Sequence, residues 1–167
     1  VLPVTDGFSV CAAVKGDPMY FLPVGGSSPL GTIGYVEAAF ELRRQIDEGL
    51  LPEPDYIFVP CGSSGTAAGV NLGCRAARIK SRVVSVQVAD LATAFLVSQL
   101  ANLTAAKLHF ADRSFPMHIF LPGDLDHRDQ FYGGQYGRLT PEGVEAVRLV
   151  KELAGLNLEG VYTGKTV

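Results

Sequence analysis

The chain of 167 residues is 47% hydrophobic and 19% charged, with a formal net charge of -3, which fits one globular domain and excludes a disordered segment. The 14 lysines and arginines form no stripe, so binding to a phosphate backbone is not expected. No apolar run reaches the ~18 residues of a membrane helix and no charged-then-apolar leader opens the chain, so neither membrane association nor secretion is expected.

Met19 to Val24, closed by Gly25-Gly26, predicts a buried strand. A helix is predicted from Gly31 to about Glu48, with Glu37, Glu41, Arg44 and Glu48 on one solvated face and Ile33, Val36, Phe40 and Ile46 turned to a core. Tyr56 to Val59 predicts the next strand, Gly65 to Ile79 a helix, Arg82 to Val88 a strand, and Leu91 to about Leu108 a helix. Phe115 to Leu121 predicts a further strand, and Pro122 to Leu139 a loop. Thr140-Pro141-Glu142 carries the cap, proline and acid of a helix start, and that helix is predicted to reach about Leu153. Alternation of strands and helices, with strands apolar throughout, predicts a three-layer α/β/α domain around a mainly parallel sheet.

Cys11, Cys61 and Cys74 lack paired metal spacing and leave an odd thiol, which fits a reducing, cytoplasmic compartment. Val1 is not an initiator Met, and Gly160 to Val167 reads as a turn leading into a new element. Residues 1–167 are therefore expected to be a single domain of a longer, two-domain protein.

Phe58 to Gly69 runs a strand into Gly62-Ser63-Ser64-Gly65-Thr66-Ala67-Ala68-Gly69. A helix starting at the carboxyl end of a parallel strand offers free N–H groups and a positive dipole end. Gly62 and Gly65 permit close approach, and Ser63, Ser64 and Thr66 add hydroxyl donors, so the stretch describes a phosphate cradle. A plain strand-to-helix turn with serine caps uses the same residues, and Ala67, Ala68 and Gly69 suit close helix–sheet packing. A nucleoside-triphosphate loop needs Lys then Ser or Thr after its second glycine, but Thr66 and Ala67 follow Gly65. The glycine spacing also departs from a dinucleotide fingerprint. Asp90, after the following strand, keeps that reading open as a ribose ligand, and it is more simply the cap of the helix from Leu91.

Four segments together resemble the pyridoxal-phosphate enzymes of the tryptophan synthase β fold, in the branch of D-cysteine desulfhydrase and 1-aminocyclopropane-1-carboxylate deaminase. They are Pro23-Val24-Gly25-Gly26-Ser27 with Leu30-Gly31 and Gly34-Tyr35-Val36-Glu37; the Gly62 to Gly69 loop; Tyr136-Gly137 with Thr140 to Gly143; and Val161 to Lys165. Their order and spacing match across most of the chain. The resemblance implies that Gly62, Ser63, Gly65 and Thr66 hold the 5'-phosphate of pyridoxal phosphate, that Tyr136 and Tyr162 are active-site tyrosines meeting a small amino-acid substrate, and that Thr163 lies near the pyridine nitrogen. Deaminases of the branch carry Glu at that last position, so Thr163 points to the desulfhydrase side, where D-cysteine yields pyruvate, ammonia and sulfide. The resemblance further implies a homodimer and a Schiff-base lysine far upstream. Lys15, Lys80, Lys107, Lys151 and Lys165 stand in no matching context and read as surface residues. Two other functions stay open: the deaminase reaction, and a non-catalytic module that keeps only the phosphate cradle.

The remaining polar features read as structural. Asp124, Asp126 and Asp129 around His127 lack the glycine and closing glutamate of a calcium loop and suit a solvated turn, so no metal is expected. His109 and His118 have no partner at helical spacing, the Asn102-Leu103-Thr104 sequon falls within a predicted helix, and Cys61 suits a buried small residue at a strand end.

Overall fold

The structure, a computed structural model, describes residues 22–167. Strands β1 (Tyr56–Cys61), β2 (Arg82–Gln87) and β3 (Asp126–Arg128) form a parallel sheet in the order β1-β2-β3. Tyr56 lies opposite Arg82, and Val84 opposite Asp126. Helices α1 (Ile33–Asp47), α2 (Gly65–Ala76) and α3 (Ala94–Ala111) precede β3, and α4 (Pro141–Ala154) and the single turn α5 (Thr163–Thr166) follow it. Ile57 and Val59 join the core formed with α2 and α3. Tyr56 and Phe58 alternate to the opposite face, where Ala146 of α4 and Gly164 of α5 stand across a groove. The α/β class with a parallel sheet is the one expected.

Helix α1 shows the predicted amphipathy. Val36 and Ala39 are buried and Phe40 packs beside them, while Arg44 on the outer face pairs with Glu41 and Glu48, both at 3.1 Å. A row of glycines on α2 sets its distance from α1. A Cβ at Gly69 would lie 2.5 Å from the Tyr35 Cβ, and one at Gly73 would lie 2.6 Å from the Ala39 Cβ and 2.7 Å from the Val36 carbonyl oxygen. Gly69 thus serves helix–helix contact rather than the helix–sheet packing expected of it, and Ala67 and Ala68 are fully buried.

Three expectations are corrected. Of the predicted strand 19–24, residues 19–21 lie outside the described residues, Leu22 and Pro23 are irregular, and Val24 opens a 3-10 turn, Val24–Gly26. Residues 115–121 form no strand, because side chains occupy the backbone groups a neighbouring strand would need. Asn102 donates to the Phe120 carbonyl at 3.0 Å and accepts the Phe120 N–H at 2.8 Å, while Arg75 donates to the Ile119 carbonyl at 3.0 Å. The third strand lies instead within the predicted loop 122–139, and its Asp126 is an ion-pair anchor rather than part of a solvated turn. Asp126 meets Arg82 of β2 at 2.6 Å and also pairs with Arg128. A polar Asp-His-Arg triplet gives no strand signal in a sequence, since its partner arginine comes from a distant segment.

Helix α4 follows its sequence signals closely. Thr140 accepts the Gly143 N–H at 3.1 Å, and Gly155 closes the helix at φ 70°. Among the described residues no helix is long and apolar enough to cross a membrane.

Candidate active site

The cradle hangs between the end of β1 and the start of α2. Cys61 is fully buried, and desolvation pushes its thiol up to about 11, leaving it an inert packing residue. Ser64 turns the chain at φ 73°, a left-handed conformation that a non-glycine residue adopts at a cost of roughly 1 kcal/mol or more and that is concentrated at functional turns. Ser64 is 4% exposed, lines the cleft, and its Oγ lies beside the Cys61 thiol without forming a hydrogen bond of good geometry. A buried hydroxyl without a good partner carries a desolvation cost, and among the described residues Thr32 and Ser85 hold hydroxyls in the same state away from the cradle. Beside it Ser27 donates to the Ser63 Oγ at 2.8 Å and accepts the Gly65 N–H at 3.1 Å. This links the Val24–Gly26 turn to the α2 N-terminus. The approach is tight: a Cβ at Gly65 would lie 2.6 Å from the Ser27 Oγ, and one at Gly62 would lie 3.2 Å from the Tyr162 ring.

A cleft of about 870 Å³ opens over this turn, bounded by the cradle, Gly25, Asp90, Tyr136 and Tyr162. Its size suits a small-molecule ligand. It stands beyond the carboxyl ends of β1 and β2, where parallel α/β sheets bind ligands.

The structure brings Tyr136 and Tyr162 together. Their hydroxyls are 2.8 Å apart and their rings meet edge to face with centroids 6.1 Å apart. The hydrogen bond to Tyr136, with burial adding to it, raises the Tyr162 pKa, so the phenol stays protonated. Tyr162 is held by its own turn: Glu159 accepts the N–H groups of Val161 at 2.8 Å, Tyr162 at 2.5 Å and Thr163 at 2.7 Å. Desolvation works against the Glu159 carboxylate, and the three amides outweigh it and keep its pKa low.

Gly62, Ser63, Ser64, Gly65 and Thr66 all line the cleft. Thr163 is not among the residues lining it. Its hydroxyl is engaged within the turn, donating to the Glu159 carbonyl at 3.1 Å and accepting the Glu159 N–H at 3.0 Å.

Two residues differ from expectation. Asp90 caps no helix, since α3 starts later with Thr93 accepting the Leu96 N–H at 3.2 Å; Asp90 instead accepts the Tyr132 phenol at the cleft edge. Lys165 is no surface residue. It is 5% exposed, and its ammonium donates to the Tyr132 carbonyl at 2.9 Å. Lys80, Lys107 and Lys151 are exposed as expected, and Lys15 lies outside the described residues. Sequence spacing carried no sign of the Asp90–Tyr132–Lys165 link, because its members are brought together only by the loop before α4.

Comparison with known proteins gives one consistent picture. The model of the pyridoxal-phosphate dependent enzyme family matches residues 4–167. A candidate 1-aminocyclopropane-1-carboxylate deaminase of Pyrococcus furiosus is 33% identical over 153 residues, covering 90% of this chain and 44% of that protein. D-cysteine desulfhydrase of Klebsiella pneumoniae is 32% identical over 162 residues, covering 97% of this chain and 47% of that protein. The crystal structure of an ACC deaminase homologue superposes with a TM-score of 0.74 at 30% identity, over 96% of this chain and 46% of that one. The chain thus spans under half the length of the relatives it matches.

Proposed function

Because the chain belongs to the pyridoxal-phosphate dependent enzyme family, we propose that its cleft holds the 5'-phosphate of pyridoxal phosphate and that the whole protein is a lyase or deaminase of small amino acids, with D-cysteine α,β-elimination as the leading reaction. The observation that carries this reading is the Ser64 hydroxyl, buried at the N-terminus of α2 with no well-formed hydrogen bond and only the Cys61 thiol beside it. A phosphate dianion there would meet the first-turn N–H groups of α2 other than that of Gly65, which Ser27 accepts, the positive dipole end and hydroxyls from Ser63, Ser64 and Thr66. The residues present therefore fit the group.

When bound, the cofactor supplies the electron sink that stabilises negative charge at the substrate α-carbon. Gly62 lets the backbone pass beneath Tyr162, which keeps cofactor and phenols within one cleft. The Tyr162 and Tyr136 hydroxyls are hydrogen-bonded across 2.8 Å, and the phenol proton not used in that bond would face the substrate at the cleft mouth, where a phenol acts as donor or acceptor. Thr163, whose hydroxyl is held within its own turn by the Glu159 backbone, would be a neutral residue at the position where deaminases of the branch carry Glu. This chain contributes the cradle and tyrosines of a longer, two-domain homodimer, and the Schiff-base lysine comes from the other part. A cytoplasmic setting rests on Cys61 and Cys74 standing as free, buried thiols.

The deaminase reaction is the second reading, favoured by the Pyrococcus furiosus relative's name. The test treats the full-length protein and this chain with pyridoxal phosphate, reduces them with borohydride and maps adducts by mass spectrometry. An adduct on a lysine outside this chain, with sulfide released from D-cysteine, is the expected result. Ammonia release from 1-aminocyclopropane-1-carboxylate without sulfide from D-cysteine selects the deaminase. Absence of any adduct, with phosphate-ester binding retained, leaves a non-catalytic module.

A further inference from the structure

A lysine ammonium is expensive to bury unless a charge or several acceptors compensate it. Lys165 is 5% exposed, yet the acceptor it meets among the described residues is a neutral one, the Tyr132 carbonyl at 2.9 Å, with the Tyr132 ring centroid 5.5 Å from its Nζ. Burial and the nearby Arg138 guanidinium oppose the ammonium and the Glu159 carboxylate favours it, so the carbonyl contact adds weak compensation for stability, and its value lies in what it fixes.

One end of the contact is rigid. Lys165 sits on α5, immediately after Tyr162, and Gly164 is wedged against α4: a Cβ there would lie 2.7 Å from the Val147 Cγ2 and 3.2 Å from the Gly143 carbonyl oxygen. The other end is a loop with much backbone freedom. Gly133, Gly134 and Gly137 all adopt φ 79° on either side of Tyr136, a conformation that glycine allows without fixing. Tyr132 is the last side chain before those glycines. It is pinned at three atoms: its N–H donates to the Asp129 carbonyl at 3.1 Å, its phenol donates to Asp90, and its carbonyl accepts from Lys165.

We propose that Lys165 is a positioning residue, whose ammonium clamps the Tyr132 carbonyl and so holds the glycine-rich loop with Tyr136 against Tyr162. The element carrying Tyr162 thereby also fixes its partner, and the two phenols keep one separation. The effect on turnover rests on the function proposed above, whereas the effect on the loop does not.

The experiment compares the full-length protein with its Lys165→Met and Lys165→Gln variants. Hydrogen exchange by mass spectrometry over residues 131–138, pyridoxal-phosphate affinity and steady-state kinetics with D-cysteine are measured. Loss of the clamp is expected to speed exchange in 131–138 by about tenfold or more while the α1 and α2 segments keep their rates. Cofactor affinity is expected to stay within about threefold, since the cradle is untouched, and kcat to fall roughly 10- to 100-fold with little change in KM, as for a misplaced catalytic group. Lys165→Gln, which keeps an N–H donor, is expected to recover part of the loop protection. Exchange in 131–138 within about twofold of wild type, exchange raised throughout the chain, or failure of both variants to fold would overturn the proposal. If the wild-type protein binds no pyridoxal phosphate, the cofactor reading fails, and the exchange comparison still decides the role of Lys165.

Discussion

Ser64 and Asp126 show how single side chains divide between candidate site and scaffold. Ser64→Ala removes a hydroxyl that has no well-formed hydrogen bond, so stability is expected to change little. Cofactor affinity is expected to fall by ~1.5–3 kcal/mol, the usual value of a hydrogen bond to a charged group, which is about 10- to 100-fold in Kd by titration. Unchanged affinity would remove Ser64 from the cradle. Asp126 behaves oppositely. The hydrogen bond from Arg128 leads in lowering its pKa, desolvation opposes, and Arg82 adds to the depression. A depressed folded value means stabilisation that is full above the ordinary carboxylate pKa and is lost as pH falls through the folded one. Denaturant melts between pH 7 and pH 3 are expected to show stability declining below about pH 4, with a smaller decline in Asp126→Asn. Neither role was fully readable beforehand: Ser64 announced itself through its glycine neighbours, whereas Asp126 looked solvated because Arg82 lies 44 positions away.

At the level of elements, packing distances decide more than propensity does. Gly73→Ala gains up to ~1 kcal/mol of helix propensity but places a Cβ 2.7 Å from the Val36 carbonyl oxygen, and overpacking of this kind costs roughly 1–3 kcal/mol. A net loss in Tm is expected by calorimetry, and an unchanged or raised Tm would show that α1 and α2 slide apart freely. Asn102→Ala strips both partners from the Phe120 backbone, and each buried group left unpaired costs about 1–3 kcal/mol; a clear drop in Tm and faster exchange at Phe120 are expected. The segment around Phe120 explains a misreading. Its alternating residues Met117, Ile119 and Leu121 are exposed, and a strand pattern forms a strand only where another backbone is in reach. Helices α1 and α2 were legible from local apolar periodicity and flanking glycines, and α4 from its Thr140 cap; α3 starts three residues later than its sequence suggests, since Thr93 rather than Asp90 takes the cap.

For the molecule as a whole, the surface of these 146 described residues carries large apolar side chains along α3 and the segment after it. Phe95, Leu103, Phe110, Met117 and Ile119 are each more than half exposed, and exposed apolar side chains that form one patch mark an interaction face. The 167-residue chain expressed alone is therefore expected to bind a hydrophobic dye or self-associate in light scattering, and the full-length protein to do neither; a monodisperse, dye-silent chain would contradict this. What residue order determined unaided was the alternation of helices with parallel strands and the glycine-serine turn between a strand and its helix, because periodicity, caps and loop composition act over a few neighbouring residues. Tertiary structure alone decided that Asp-His-Arg becomes a strand, that the two tyrosines meet 26 residues apart at 2.8 Å, and that Lys165 is buried. Those outcomes depend on backbone and charge partners supplied by remote segments, and no local pattern encodes which of them will come within reach.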